Sequence, residues 1–381
     1  MEIVRRNRVV VVNNERRCNL PSTLLPPPYI YCVKVDYLIV GQGIAGSVMA
    51  LTLEQRGKTV AILSRPELSS SSRIAAGVYN PFNFRRTKPV WCANEAAVCA
   101  RNFYSGAEQR TGGPYYHPKN ILRIFDTEQE RENWGDYQAA DKHSFIASVI
   151  DTPVYSAVNV PRGYGVVLGG GMVNTSLFMD TIRTYFNNRG YYLEETCDHA
   201  KFFSDEEGVI YDSRVEAKHV IFCEGHLANN NPFFDSRVVA PTKGELLHVS
   251  IPGLNQTAIL NGPVYLAPFG GDRYVCGATF NPGKSDEELT EAGKEELIRK
   301  LKTMTTLPFE VIGHFAGVRP AGRDRKPVLG RSRKDRNFSI FNGFGSKAVL
   351  YAPFLAQMLA DHLENGAEIA PEVNIARFKV Y

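Results

Sequence analysis

What the chain lacks narrows it first. No stretch of its 381 residues approaches the ~18 consecutive apolar residues that a membrane-spanning helix needs. Charge of one sign is also missing: 44 basic against 40 acidic residues leave a net +4. That excess sits in residues 1–34, where six basic residues (Arg5, Arg6, Arg8, Arg16, Arg17, Lys34) face two acidic ones (Glu2, Glu15); the remainder balances at 38 against 38. A neutral body argues against a nucleic-acid partner. Cysteines number seven, an odd count with no CxxC pair and no spacing that fits a zinc site, so no metal is expected. They read as small buried apolar residues of a reducing cytoplasm. Gly (32) and Pro (22) are too few for a fibrous or low-complexity chain, and 44% hydrophobic residues are enough to build a core.

Residues 1–34 read poorly as structure. Val9 to Val12 is too short a run for a signal-peptide core, and Pro26-Pro27-Pro28 forces extended chain. Glu2 and Glu15 argue against an acid-poor transit peptide. The segment is expected to be a disordered leader, or the product of a start assigned too far upstream, with residues 1–33 dispensable for fold and cofactor.

Folding is expected to begin at Val35. Val35 to Val40 is a nearly continuous apolar run, the mark of a strand buried on both faces. It leads into Gly41-Gln42-Gly43-Ile44-Ala45-Gly46, then a helical pattern over Ser47 to Arg56 closed by Gly57, then a second apolar strand, Thr59 to Leu63. This is a βαβ unit with G-x-G-x-x-G in its first turn. Gly41 permits the tight turn, Gly43 lets a pyrophosphate approach the backbone, and Gly46 lets helix and strand pack closely. The helix N-terminus turns free N–H groups towards the phosphates. An acidic residue is due at the end of the second strand, to bind a ribose hydroxyl. Ser64 stands there, followed by Arg65, a pairing that would also accept the 2′-phosphate of NADP. This turn alone leaves FAD and NADP both open.

Six further segments follow in order. Ser72 to Gly77 ends in Ala75-Ala76-Gly77, and Gly170-Gly171-Met172-Val173-Asn174 precedes a long helix. Ala217 to Gly225 is a strand ending in glycine, and Pro241-Thr242-Lys243-Gly244-Glu245 comes next. Tyr265-Leu266-Ala267-Pro268 is answered by Val275 to Thr279, and Gly317-Val318-Arg319-Pro320 by Pro327 to Gly330. Together they resemble the D-amino-acid oxidase/glycine oxidase family of FAD-dependent oxidoreductases over residues 35 to about 365. The resemblance implies an α/β (α+β overall) fold, a Rossmann-type FAD-binding domain with an inserted antiparallel-sheet substrate domain. The expected FAD-binding stretches are 35–105, 166–235 and 311–381; the substrate domain takes 106–165 and 236–310. Helical patterns over Phe178 to Asn188 and Glu287 to Met304, and strand patterns over Glu245 to Ile251 and Tyr265 to Phe280, agree.

By the same resemblance Arg319 holds a substrate carboxylate over the flavin, and the rigid, permanently charged fork of an arginine suits that role. Tyr265 and Phe280 are expected to line the substrate pocket. Non-covalent FAD is expected against Gly41, Gly43, Ile44, Ala45 and Gly46, against Ser64, Arg65, Ser72, Ala75, Ala76 and Gly77, and against Gly225. Gly343, Gly345, Ser346 and Lys347 open a helix whose positive end would face the flavin pyrimidine. In that last motif Phe344 and Ala348 replace a histidine and a glycine common in the family. No carboxylate–histidine pair stands out. The expected reaction is oxidation of a small amino acid or secondary amine to its imine. Three alternatives are a 2-hydroxy-acid dehydrogenase, a tRNA aminomethyl-uridine oxidase and a non-catalytic NADP-binding protein. The eight basic residues between Arg319 and Arg336 favour the tRNA reading slightly.

Overall fold

The computed structural model describes residues 32–65, 70–140, 145–152, 155–234 and 238–378. The expected leader therefore lies, up to Tyr31, outside the described residues. The first strand is Val33–Val40, two residues longer than the apolar run, because Val33 and Lys34 pair with Val215 and Glu216 and Lys34 forms an ion pair with Glu216 at 2.8 Å.

Two sheets organise the chain. In the first, Tyr192–Leu193, Val60–Leu63, Val33–Val40, Val215–Phe222 and Phe338–Asn342 run parallel in that order. Successive residues face opposite layers. Ile39, Ile62 and Ile221 join the core beneath the helices Ile44–Gln55 and Ala348–Asn365, while Leu38, Val40, Ala61, Leu63 and Phe222 build a second core on the other side. Burial on both faces is why these strands read as unbroken apolar runs.

The second sheet has nine strands, mostly antiparallel. Its spine is Val239–Ser250 paired with Glu310–Gly322 along its whole length, from Val239 against Gly322 to Ser250 against Glu310. The boundary expected at 311 is corrected by this pairing: the whole Glu310–Gly322 strand belongs to the antiparallel sheet, because its hydrogen bonds go to Val239–Ser250. Tyr265–Gly270 and Arg273–Gly277 add a hairpin whose turn uses Gly270 and Gly271 at positive φ. The expected strand to Phe280 stops at Gly277.

Helices begin where caps place them. Ile44–Gln55 starts three residues before Ser47, with Gly43 as N-cap, which brings its N-terminus into the glycine turn itself. Thr175–Asn187 starts behind Asn174, whose side chain accepts from Leu177 N at 3.1 Å; Glu291–Met304 starts behind Thr290, which accepts from Gly293 N at 3.1 Å. The glycine turn is packed without slack, since a Cβ at Gly46 would overlap the carbonyl oxygen of Gly41. Gly46→Ala is expected to cost about 1–3 kcal/mol through this overpacking, measured as a lower melting temperature of the cofactor-free protein.

Candidate active site

A cavity of about 590 Å³ runs between the two sheets. One wall is the glycine turn. Gly41 has φ +94°, and a Cβ there would lie 2.7 Å from the Cys223 carbonyl oxygen; a Cβ at Gly43 would lie 3.0 Å from Ser72 Oγ. Both positions need glycine, one for conformation and one for open space. Gly43 has no side chain to cap the helix, and Ser72 Oγ accepts from Ile44 N at 3.3 Å, so one N–H of the helix start is bonded from the neighbouring loop. Ile44 and Ala45 join this wall, as do Ser64, Arg65, Ser72, Ala75, Ala76 and Gly77. Ser64 braces the turn from the second strand, its Oγ accepting from Gln42 N at 3.0 Å. Gly225, Gly345 and Ser346 also face the cavity.

Four expected site residues do not line it, each for a physical reason. Gly46 lies behind the turn, against Gly41. Gly343 turns the chain at φ +76° and backs onto Val328. Lys347 sits between Ser346 and Ala348, which do line the wall, while burial pushes its own ammonium down to about 8. Phe280 is a correction: beyond the end of its strand it is 55% exposed, next to Asn281–Pro282, which pairs with Thr242 and Lys243 at the sheet margin.

Arg319 and Tyr265 do meet on the cavity wall. Gly244 makes room for the arginine, since a Cβ there would overlap the guanidinium; Gly277, directly across from Tyr265, makes room for the tyrosine ring. Arg319 Nη1 donates to the Thr279 carbonyl at 3.3 Å, and among the described residues no carboxylate pairs with this guanidinium. Burial disfavours its charge and lowers its pKa. Tyr265 is pushed up to about 12 by burial, with the Arg319 charge opposing, and so faces the cavity as a neutral phenol.

The cavity wall also holds residues the sequence did not single out: Glu195, Cys197, His199 and Glu224. His199 Nε2 meets Glu224 Oε1 at 2.8 Å, and Asn231 Nδ2 donates to Glu224 Oε2 at 2.7 Å. Cys197, His199 and Glu224 bring donor atoms within 4.8 Å of one another. Burial and the nearby Glu224 hold the Cys197 thiol well above its usual range, so it stays protonated. A second carboxylate–histidine pair, Glu245 with His314 at 2.8 Å, lies behind the antiparallel sheet. Both pairs correct the reading that none is present. A charged residue closing a buried strand, as in Cys223-Glu224-Gly225, was the available signal for the first.

Comparison with known proteins agrees with this geometry. The DAO family model, FAD dependent oxidoreductase, matches residues 36–362. The chain belongs to that family. It is an enzyme, an FAD-dependent oxidoreductase. Glycine oxidase of Bacillus licheniformis is 25% identical over 354 residues, 86% of this chain and 92% of that protein. The tRNA 5-methylaminomethyl-2-thiouridine biosynthesis bifunctional protein MnmC of Marinobacter nauticus is 24% identical over 360 residues, and this chain spans about half of it (55%). The crystal structure of glycine oxidase from Bacillus cereus superposes with a TM-score of 0.76 at 20% identity, covering 88% of this chain and 98% of that one. The residues present fit FAD: Gly41 and Gly43 keep the cradle clear of side chains, the helix Ile44–Gln55 begins at that turn, and the same cavity is lined by Arg319.

The His199–Glu224 pair carries a pH signature. Hydrogen bonding to Glu224 raises the His199 pKa above its ordinary 6.5. Its contribution to stability is therefore complete below pH 6.5 and lost as pH rises through the folded value. Melting curves of wild type and His199→Gln should differ most at low pH and converge above neutrality; a gap that does not change with pH would contradict the charged pair.

Proposed function

We propose that this enzyme oxidises a small amino acid or secondary amine, glycine-like or a D-amino acid, to the imine. The observation that carries the reading is the largely buried Arg319 guanidinium, on the cavity wall beside Tyr265 with no carboxylate partner among the described residues. A buried cation without a counter-charge is costly, and a carboxylate from the substrate would offset that cost. The chemistry supplied by bound FAD is acceptance, at flavin N5, of a hydride from the substrate α-carbon. The protein's part is placement. Arg319 fixes the carboxylate, which orients the α-carbon. Tyr265 donates a neutral hydrogen bond and excludes water. Gly345, Ser346 and the start of the helix Ala348–Asn365 line the cavity and would offer a positive helix end to the bound cofactor. The parallel-sheet unit holds the cofactor, and the antiparallel sheet covers the substrate.

FAD is bound without a covalent link. No cysteine occurs in Glu310–Gly322, the strand that carries Arg319. Among the described residues no helix is long and apolar enough to cross a membrane, and we place the enzyme in the cytoplasm, where its free cysteines stay reduced.

A 2-hydroxy acid would use the same arginine. Resemblance to the bifunctional tRNA-modifying protein supports the aminomethyl-uridine reading, but much of the basic cluster is engaged within the fold: Arg331 donates to the Arg336 carbonyl, Arg333 to that of Ala376 and Lys334 to that of Pro232. Anaerobic bleaching of the flavin near ~450 nm by amino acids, N-methyl amino acids and 2-hydroxy acids separates these readings. Arg319→Ala should keep its FAD and lose about a hundredfold or more in kcat/KM for the bleaching substrate; unchanged kinetics would overturn the assignment. Acid precipitation should release the flavin into the supernatant.

A further inference from the structure

Arg319 must point somewhere before a substrate arrives, and its surroundings say what aims it. The strand Val239–Ser250 places alternate residues on opposite faces. Gly244 lies under the guanidinium, while its neighbour Glu245 turns to the other side and is fully buried. There the Glu245 carboxylate accepts from Thr290 N at 3.1 Å, Thr290 Oγ1 at 2.7 Å and His314 Nε2 at 2.8 Å, which ties the strand to the start of the helix Glu291–Met304. The backbone of Glu245 is used as well. Its N–H donates to Thr279 Oγ1 at 2.8 Å, and its carbonyl accepts from Thr279 N at 3.0 Å. Thr279 is thus clasped at two points although it lies beyond the end of the Arg273–Gly277 strand, and it is only 3% exposed. Its remaining polar group, the carbonyl, accepts from Arg319 Nη1 at 3.3 Å.

We propose that Thr279 is the positioning residue for Arg319: its hydroxyl locks a carbonyl that aims the guanidinium fork at the substrate carboxylate. This rests on the function proposed above. The single bond to a neutral carbonyl fixes direction without neutralising the charge, so the fork is oriented and still free to bind an anion. A carboxylate in the carbonyl's place would also fix direction, but it would compete with the substrate. The hydroxyl matters because without it the Glu245 N–H is left buried and unpaired, and the loop carrying the Thr279 carbonyl is held by one bond instead of two. The consequence is specific to binding. Thr279 touches neither the reacting carbon nor the cofactor cradle around Gly41 and Gly43, so its loss weakens carboxylate capture and leaves FAD in place.

The test uses the FAD-loaded enzyme titrated with acetate, a carboxylate with no oxidisable α-amine, followed by the change in flavin absorbance. Thr279→Val and Thr279→Ala should raise the acetate Kd about five- to tenfold, with FAD content retained; Thr279→Ser, which keeps the hydroxyl, should restore it to within about twofold. For an amine that bleaches the flavin, KM should rise in the Val and Ala variants while kcat changes little. Arg319→Ala is the reference. If it binds acetate as tightly as wild type, the carboxylate reading of the site is wrong. If it loses acetate while Thr279→Val and Thr279→Ala keep wild-type affinity, the positioning role alone is overturned. If Thr279→Val fails to fold, Thr279→Ala and Thr279→Ser decide between the same two results. A Ser variant as weak as Ala would likewise overturn the role of the hydroxyl.

Discussion

The burial of one positive charge without a negative partner sets the terms for the rest of this molecule. A guanidinium taken out of water is expensive unless something repays it, and Arg319 receives only a neutral carbonyl from its own chain. Much of the surrounding architecture makes room for that charge and leaves it without a counter-charge. Gly244 removes the side chain that would displace it, Tyr265 lends a phenol that burial keeps un-ionised, and the paired strands Val239–Ser250 and Glu310–Gly322 hold the bed and the charge in fixed register. Under the function proposed above, an ion pair at this spot would compete with the substrate carboxylate.

The same division of labour appears elsewhere on the cavity wall. Gly41 and Gly43 clear space, Ser64 and Ser72 brace the backbone they leave bare, and the polar wall is built from groups that already satisfy one another, Glu224 with His199 and Asn231. Ser64, out of place when judged as a ribose ligand, is in place as the acceptor for Gln42 N. Across the cavity, glycines supply room and neutral oxygens supply direction.

What could be read in advance was what is local in sequence. The run Val35 to Val40, the glycine turn and the second strand form a contiguous unit whose hydrophobic pattern and turn chemistry fix one structure, and Arg319 stood in a short, distinctive segment. What could not be read depends on contacts between distant residues. His199 meets Glu224 across 25 positions, Thr279 meets Arg319 across 40, and Gly244 serves a side chain 75 positions away. Phe280 was expected in the pocket from the family resemblance, but the strand ends at Gly277, and beyond it period two no longer predicts a face. Lys347 was expected at the cofactor from the motif that opens the last helix; Ser346 and Ala348 do face the cavity, but in a helical turn adjacent residues point in different directions.

The cavity wall has a consequence for how the protein comes into being. Its residues are drawn from stretches running from Val40 to Val349, so no early fragment of the chain contains the pocket. The longest ribbon in the fold joins residue 239 to residue 322, a non-local pairing whose loop-closure entropy delays it during folding. The flavin is therefore a late arrival, captured once the carboxyl-terminal third has docked. A ligand that fills this cavity would meet walls from both sheets, so saturating cofactor would stabilise the two together.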